Sequence, residues 1–246
     1  MTTKQRLDHL LVAQGLAESR TKAQALIMAG LVYHGQVKLD KAGAQFADDY
    51  EINVRGKEHP WVSRGGMKLM RAIEEFKLDV TGLVAMDVGS STGGFTDVLL
   101  THGAAKVFAV DVGHGQLDVK LRNDSRVVVM EETNARHLTA EMIGEALDVI
   151  VCDASFISLT KVLPAALALA KPNAQLVTLI KPQFEVGKAE VSRGKGVIRD
   201  AALHSQVCNA ISTWVTSLGW NVVGITKSPI TGPKGNVEFL LYARKQ

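Results

Sequence analysis

Cysteine, aromatic side chains and long apolar runs are scarce in this sequence of 246 residues. Its two cysteines, Cys152 and Cys208, form no CxxC motif, so neither a disulfide framework nor a zinc site is indicated. No stretch reaches the ~18 consecutive apolar residues that a membrane span needs. The opening MTTKQRLDHLL lacks the apolar core of a secretory signal. These absences favour a protein of the reducing cytoplasm, without a membrane span or a metal.

The composition itself is that of an ordinary globular protein, with 46% hydrophobic and 22% charged residues. This excludes the disordered and fibrous classes. The net charge of +3 is unevenly placed: residues 1–60 hold 8 basic and 7 acidic side chains, residues 61–77 hold 4 and 2, and residues 78–246 hold 16 of each. The excess positive charge therefore lies in the N-terminal third, where a polyanion could bind.

The first sixty residues predict a small α+β module. Apolar residues at helical spacing indicate two short helices, the second capped by Ser19 and ended by Gly30. The segment LVYHGQVKL indicates two short strands around His34 and Gly35, and a further strand is expected near residues 50–54. We expect this module to form a domain over residues 1–60.

Cations and amide donors on this module suit contact with phosphates. They are Arg6, Arg20, Lys22, Gln24, Lys38 and Lys41. The pattern RLDHLLVAQGLAESRTKAQALIMAGLVYHGQVK resembles the S-four RNA-binding domain, first known from a small-subunit ribosomal protein. The resemblance implies that the module binds RNA; the alternative is that its charges only solvate a small helical cap.

A second, larger domain is predicted after a boundary region. Residues 61–80 are expected to form a linker, whose Trp61 docks on a neighbour, and a leading helix from Lys68 to Lys77. Over residues 81–246, apolar strands alternate with helices such as 94–101 and 204–218. The seven expected strands are LVAMDVG, KVFAVDVG, VVVMEE, DVIVCD, QLVTLIK, NVVGITK and VEFLLYA. This alternation predicts a parallel, doubly wound, Rossmann-like α/β sheet that binds ligands at the carboxyl ends of its strands.

The segment MDVGSSTGGFTDVLL combines a strand, a glycine-rich turn and a helix, which lets backbone approach a ligand closely. Ser90, Ser91 and Thr92 stand where the GxGxxG pattern would place a second glycine, and this disfavours a nicotinamide cofactor. The spacing Asp87-x-Gly89-xxx-Gly93 is instead that of the first motif of methyltransferases that use S-adenosylmethionine.

Two later strand ends complete the predicted cofactor site. Asp111 ends its strand 24 residues after Asp87, where an acid can accept both ribose hydroxyls, and Asn134 could reach the adenine edge. Taken singly, each has an ordinary interpretation as a turn or helix-cap residue. The predicted cofactor-binding residues are Asp87, Gly89, Ser90, Ser91, Thr92, Gly93, Gly94, Phe95, Asp111, Asn134 and Asp153.

Seven segments resemble those of the TlyA family: SRGGMKL, DVGSSTGGFTDVLL, DVGHGQL, LRNDSRVVVMEETNAR, DASFISL, IKPQFEVGK and GPKGNVEF. TlyA proteins are similar to the FtsJ class of RNA ribose methyltransferases. The resemblance implies transfer of a methyl group to a cytidine 2'-hydroxyl of ribosomal RNA, by a catalytic tetrad at Lys68, Asp153, Lys181 and Glu238. From the strand pattern alone, only Asp153 and Lys181 are expected at one edge of the sheet.

Two roles remain open for Lys181. A sugar hydroxyl has a high pKa, so it needs a base or a positive charge that stabilises the alkoxide. Burial and the neighbouring Lys68 favour a neutral, basic Lys181, whereas Asp153 and Glu238 oppose it. We prefer the base, with the two carboxylates orienting the lysines and the hydroxyl.

Further RNA contacts are predicted at Arg64, Lys188, Arg193 and Lys195. The last three belong to a basic, glycine-containing segment that either closes over RNA or is a mobile surface loop. Shorter members of the TlyA family are associated with modifying the large-subunit RNA only, and this chain ends soon after its last strand. The resemblance therefore implies the large-subunit RNA as the favoured substrate and the small-subunit RNA as the second choice. The oligomeric state stays open.

Three rival functions compete with this interpretation. The family's historical name suggests a membrane-active haemolysin. Such a protein would need a long apolar span or an amphipathic helix with a basic face, and helix 204–218 carries no cation. An RNA-binding ribosome-assembly factor without catalysis is opposed by the intact tetrad. S-four domains also precede pseudouridine synthases, and Arg6-Leu7-Asp8 resembles the Arg-Leu-Asp catalytic motif of those enzymes. We interpret Asp8 instead as an acid at a helix N-terminus.

Overall fold

A computed structural model describes residues 4–54, 59–232 and 234–246. The chain divides into two compact units, Met1–Pro60 and Trp61–Gln246. Residues 55–58, which belong to the predicted first domain, lie outside the described residues. None of the helices within these ranges is long and apolar enough to cross a membrane.

The first unit is an α+β module around a small apolar core. Its elements are β1 (Lys4–Arg6), α1 (Leu7–Ala13), α2 (Arg20–Met28), β2 (Val32–His34), β3 (Val37–Lys38), β4 (Gln45–Ala47) and β5 (Asn53–Val54). The predicted cap is confirmed, since the Ser19 hydroxyl accepts the backbone N–H of Lys22 at 3.2 Å. The pairing of β1 with β4 was not predicted. Strands of three residues are too short to show the alternation that reveals a strand.

The second unit is a layered α/β domain. Its strands are β6 (Val84–Val88), β7 (Lys106–Val110), β8 (Val127–Met130), β9 (Leu147–Cys152), β10 (Ala170–Ile180), β11 (Trp220–Lys227) and β12 (Phe239–Lys245). Its helices are α3 (Gly65–Phe76), α4 (Gly94–Thr101), α5 (Val119–Arg122), α6 (Ala140–Ile143), α7 (Leu159–Val162), α8 (Pro164–Ala168), α9 (Pro182–Glu185), α10 (Lys188–Arg193) and α11 (Ala201–Ser217), with a 3-10 turn at Ala135–His137. Helix α3 begins three residues before the predicted Lys68.

All seven predicted strands lie in one sheet, in the order β11-β12-β10-β9-β6-β7-β8, so the Rossmann-like fold is confirmed. The expectation of a wholly parallel sheet is wrong, because β12 runs antiparallel to both β10 and β11. The described residues between β11 and β12 include no helix. Without a crossover helix the chain turns straight back, and the returning strand must be antiparallel.

Apolar clusters cover both faces of the sheet. Strands β6 and β9 are therefore nearly continuous apolar runs, as expected for strands buried on both sides. Trp61 docks as predicted within the second unit, where it is 9% exposed and packs against the start of α3. The chain winds outward in opposite directions from β6 and β9, and this creates a crevice at their carboxyl ends.

Close packing of α3 on α4 requires glycine at position 94. A Cβ there would lie 2.8 Å from the backbone nitrogen of Gly66. We expect Gly94→Ala to lower the free energy of unfolding by about 1–3 kcal/mol, the usual cost of overpacking. Chemical denaturation measures this change.

Gly187→Ala is the matched control. Gly187 has φ −64°, and a Cβ on it would have nothing within 4 Å, so alanine should be tolerated there. A Gly94→Ala protein as stable as the wild type would contradict the close approach, since alanine is otherwise the better helix former.

Candidate active site

Four charged side chains meet at the carboxyl ends of β9 and β10. Asp153 and Lys181 directly follow these two strands, and Lys68 reaches them from α3. Glu238 precedes β12, whose first residue pairs with the last residue of β10, Ile180. Because β12 is antiparallel, its beginning lies at the edge of the sheet where β9 and β10 end. The structure thus brings together all four residues of the predicted tetrad.

Ion pairs join these four side chains in a row. The Nζ atom of Lys68 lies 2.8 Å from Glu238 Oε2 and 3.0 Å from Asp153 Oδ2. The Nζ atom of Lys181 lies 2.7 Å from Asp153 Oδ1 and also donates to Ser155 Oγ at 2.8 Å. Asp153 therefore links the two lysines, and two amines balance two carboxylates when all four are ionised. Both lysines are buried.

The environment of Lys68 keeps it protonated. Burial lowers the pKa of its amine, but the charges of Asp153 and Glu238 outweigh burial, so that pKa lies above its ordinary value. A lysine held in this state is a cation rather than a base. Of the two lysines in the tetrad, Lys181 is the remaining candidate for proton transfer.

The glycine-rich turn after β6 lets the backbone approach closely. Gly89 has φ +81°, and a Cβ on it would lie 2.9 Å from the Cα of Ala154. Gly93 has φ +92° and packs against the side chains of Leu117 and Leu121. Only glycine adopts these left-handed conformations at no steric cost. Gly93 thus shapes the turn, whereas Gly89 opens space beside Ala154.

The carboxylate of Asp87 is buried beneath this turn. Its Oδ2 accepts the backbone N–H and the hydroxyl of Thr96, at 3.0 and 2.8 Å. Its Oδ1 is buried and has no hydrogen-bond partner among the described residues. Burial raises the pKa of Asp87 to about 7. A buried, unsatisfied carboxylate oxygen is costly in the unliganded protein and would accept a donor from a bound ligand.

Asp111 and Asn134 serve locally as turn and cap residues. Asp111 accepts the backbone N–H groups of Ser91 and Gly113, at 2.8 and 2.7 Å. Asn134 accepts the backbone N–H of Arg136 at 3.1 Å. Each carboxylate oxygen of Asp111 has two lone pairs, so its contacts leave acceptor capacity for a ligand. Asn134 Oδ1 also accepts Arg136 Nε at 3.2 Å, so Asn134 would offer a ligand its amide N–H donors instead. Both residues therefore act as turn or cap residues, and these roles do not exclude the predicted contacts with a cofactor.

Two adjoining cavities of about 550 and 570 Å³ form one cleft above the strand ends. Both contact Gly89, Ser91, Asp153, Ser155 and Phe156. The first, which we call the tetrad cavity, also contacts Lys68, Asp87, Ser90, Thr92, Gly94, Phe95, Lys181 and Glu238. The second, the Asp111 cavity, also contacts Asp111 and Asn134. A cleft of this size accommodates a cofactor and part of a substrate.

Phe156 stands at the junction of the two cavities and was not predicted from the sequence. Its side chain is 90% exposed, its φ is +66°, and its ring lies 5.1 Å from that of Phe184. Glu185 fastens this loop, because it accepts the hydroxyl of Ser158 at 2.6 Å and the N–H of Leu159 at 2.9 Å. An exposed aromatic in a strained conformation at a cleft is typical of a binding residue. The only hint in the sequence was an aromatic next to a strand end.

The basic segment after β10 folds as helix α10 and a turn. Asn236 holds the turn, since it accepts the N–H of Ile198 and donates to the carbonyl of Gly196, both at 2.9 Å. Gly196 and Arg64 contact the tetrad cavity. Lys195 is exposed and Arg193 pairs with Glu190 at 2.9 Å. The side chain of Lys188 lies outside what the structure describes.

The predicted RNA-binding residues of the first unit fall into two groups. Lys22, Lys38 and Lys41 are exposed. Arg6, Arg20 and Gln24 instead converge on the carboxylate of Asp8. That convergence was not predicted, because contacts between positions 2 to 16 residues apart leave no periodic trace in a sequence.

Two other groups show no reactive arrangement. Burial raises the pKa of the Cys152 thiol to about 12, as fits a residue that fills the sheet. Among the described residues, no group of three or more His, Cys, Asp or Glu side chains is arranged to hold a metal ion.

Fold and site together define a methyltransferase. Residues 61–245 match the family of FtsJ-like methyltransferases, and residues 5–46 match the S4 domain. The chain belongs to the FtsJ-like methyltransferase family and, within it, to the TlyA group, in which an S4 domain precedes the methyltransferase domain. The resemblance noted in the sequence is thereby confirmed.

The similarity to individual relatives extends over the whole chain. It is 48% identical to the 16S/23S rRNA (cytidine-2'-O)-methyltransferase TlyA of Mycobacterium tuberculosis, covering 100% of this chain and 92% of that protein. It is 44% identical to Hemolysin A of Brachyspira hyodysenteriae, covering 96% and 98%. A solved structure from Streptococcus thermophilus is 40% identical, with a TM-score of 0.77 and coverage of 100% and 90%.

The raised pKa of Asp87 has a consequence for stability. Between the unfolded value near 3.8 and the folded value of about 7, the folded protein holds a proton that the unfolded chain has lost. Stability therefore falls as the pH rises through this window. We expect Asp87→Asn to raise the Tm of the ligand-free protein at pH 8, and to raise it less at pH 5. Calorimetry measures both values.

Glu74→Gln, which neutralises an exposed carboxylate, is the control and should leave the Tm nearly unchanged. A Tm of Asp87→Asn below the wild-type value at pH 8 would show that the carboxylate is not a destabilising group.

Proposed function

We propose that this protein transfers a methyl group from S-adenosylmethionine to the 2'-hydroxyl of a cytidine in ribosomal RNA. The observation that carries the proposal is the row of ion pairs Glu238, Lys68, Asp153 and Lys181 on the wall of the tetrad cavity. The Mycobacterium tuberculosis relative bears this activity in its name. Because the proposed substrate is ribosomal RNA, we infer that the protein acts in the cytoplasm.

The cleft fits the cofactor that the family implies. The orphaned Oδ1 of Asp87 and the close approach at Gly89 suit the methionine part, whose ammonium group is a donor. Asp111 would hold the ribose hydroxyls and Asn134 the adenine edge, both in the Asp111 cavity. When bound, S-adenosylmethionine supplies a methyl group on a positively charged sulfur.

The tetrad residues act on the 2'-hydroxyl of the substrate. Asp153 and Ser155 hold the Nζ atom of Lys181 at 2.7 and 2.8 Å. A neutral Lys181 would take the hydroxyl proton, and a charged Lys181 would stabilise the alkoxide. We prefer the first role. Lys68 remains a cation and keeps Asp153 and Glu238 oriented without competing for the proton.

Lys181→Ala tests the chemistry. In cells that lack the gene, the wild-type protein should restore 2'-O-methylcytidine in ribosomal RNA, and the variant should not, since positioned acid–base groups contribute about 10²–10⁴-fold to rate. Mapping both subunit RNAs also tests the expected preference for the large subunit. Calorimetry should show S-adenosylmethionine affinity within about threefold of the wild type, because Lys181 is not one of the predicted cofactor-binding residues.

Lys161→Ala, a change at an exposed lysine, is the control and should restore methylation. Near-normal methylation by Lys181→Ala would remove Lys181 from the mechanism. A wild-type protein that binds RNA, binds no S-adenosylmethionine and restores no methyl group would support the non-catalytic assembly factor instead.

The exposed ring of Phe156 suits a base taken out of folded RNA. Methylating a ribose inside folded RNA requires the nucleotide to leave its stack, and stacking on an aromatic side chain offsets part of that cost. Phe156 lies where the tetrad cavity and the Asp111 cavity meet, next to Asp153 and Ser155. This position supports a role for the ring in stacking on the target cytosine.

Phe156→Gly separates this role from a structural one. Glycine relieves the left-handed strain of about 1–3 kcal/mol and removes little buried surface. We expect thermal stability to be equal or higher and the KM for RNA to rise about tenfold, as for a lost stacking contact. Phe156→Tyr, which keeps the ring, should retain the KM. An unchanged KM in the glycine variant would disprove the stacking role.

A further inference from the structure

A buried acid lies at the centre of the cations of the first unit. Asp8, in the first turn of α1, has no exposed surface. Its carboxylate accepts from Arg6 Nε and Nη2 at 3.0 and 3.1 Å, from Arg20 Nε at 2.9 Å and from Gln24 Nε2 at 2.8 Å. The donors come from the end of β1 and from the first two turns of α2. A role as a helix N-terminal acid accounts for none of these contacts.

The carboxylate is ionised in this setting. The Arg6 hydrogen bonds, with those of Gln24 and Arg20, hold the pKa of Asp8 well below its usual range against the opposing effect of burial. Asp8 is therefore a permanent anion buried beneath cations that are predicted to bind a polyanion.

The two arginines remain open to solvent despite this anchor. The side chain of Arg6 is 40% exposed and that of Arg20 is 55% exposed. A guanidinium carries five N–H donors, and Asp8 accepts from two of Arg6 and one of Arg20. The donors that Asp8 does not use leave both guanidinium groups able to contact phosphate oxygens.

Holding two long side chains in advance lowers the cost of binding. An unrestrained arginine side chain on a protein surface loses rotamer freedom when it contacts a phosphate. A side chain that is already held by another residue loses little. Asp8 fixes two guanidinium groups beside each other, because both bond to the same carboxylate. The fixed pair can contact adjacent phosphate oxygens together.

We propose that Asp8 is a positioning residue for RNA binding, which holds Arg6 and Arg20 as a paired phosphate site and so strengthens RNA binding in spite of its own negative charge. This role rests on the proposed function, in which the RNA is ribosomal. The proposal predicts that removing the charge of Asp8 weakens RNA binding. Simple electrostatics predicts the opposite, because removing an acid from a basic surface strengthens RNA binding.

Asp8→Asn tests the sign. Binding of purified large-subunit ribosomal RNA is measured by mobility shift, and methyl transfer to it by steady-state kinetics. We expect the Kd and the KM for RNA to rise about tenfold, with kcat within twofold and S-adenosylmethionine affinity unchanged. Asp40→Asn, a change at an exposed acid of the same unit, is the control and should bind RNA equally or slightly more tightly. Equal or tighter RNA binding by Asp8→Asn would overturn the proposal.

Arg20→Lys provides a second test, in case Asp8→Asn unfolds the first unit. Lysine keeps the charge but loses the Nε–H group that bonds to Asp8. We expect weaker RNA binding with normal thermal stability, whereas Lys4→Arg, at an exposed lysine of the same unit that is not among the predicted RNA contacts, should bind as the wild type does. Unchanged binding by Arg20→Lys would show that charge alone matters and would refute the positioning role.

A double-mutant cycle identifies the path of the effect. If Asp8 acts through Arg6 and Arg20, Asp8→Asn should weaken RNA binding far less in an Arg6→Ala, Arg20→Ala protein than in the wild type. Fully additive losses would contradict this. Because RNA binding and methyl transfer are measured separately, a wild-type protein that binds RNA without methylating it overturns the proposed function and leaves the role of Asp8 standing.

Discussion

The carboxylate that two lysines share is the interaction on which the site depends. Asp153 contacts Lys68 at 3.0 Å and Lys181 at 2.7 Å, in surroundings where neither amine reaches bulk water freely. Two buried cations this near one another would repel each other strongly, since charges interact more strongly away from water. When all four groups are ionised, one anion between the lysines and a second at Glu238 make the arrangement electrically neutral. The cavity wall is therefore at once charged and stable.

The topology of the sheet delivers these charges to one place. Parallel strands bring Asp153 and Lys181 to a common edge, and the antiparallel β12 starts at that same edge with Glu238 just ahead of it. A sheet with β12 reversed would place Glu238 at the opposite end. The departure from a wholly parallel sheet is thus what completes the tetrad.

Much of the fold and part of the site could be predicted from the sequence, because the succession of strands along the chain, glycine turns and apolar periodicity are local signals. The seven strands, the turn after β6 and the Ser19 cap all follow from such signals. The direction of β12 could not, because it depends on the connection and not on the strand itself. The pairing of Glu238 with Lys68 came from resemblance alone. The position of Phe156 at the cleft and the convergence of the arginines on Asp8 were not predicted, because their geometry depends on contacts between residues that are distant in the sequence.

The neutrality of the tetrad also constrains how the sequence can change over generations. When all four are ionised, replacing any one member with an uncharged residue leaves unequal charges among the other three, and a buried charge without a partner costs stability. A lineage that abandons the reaction would have to lose an amine and a carboxylate nearly together. Paired loss of an amine and a carboxylate is therefore the change expected in a descendant that only binds RNA.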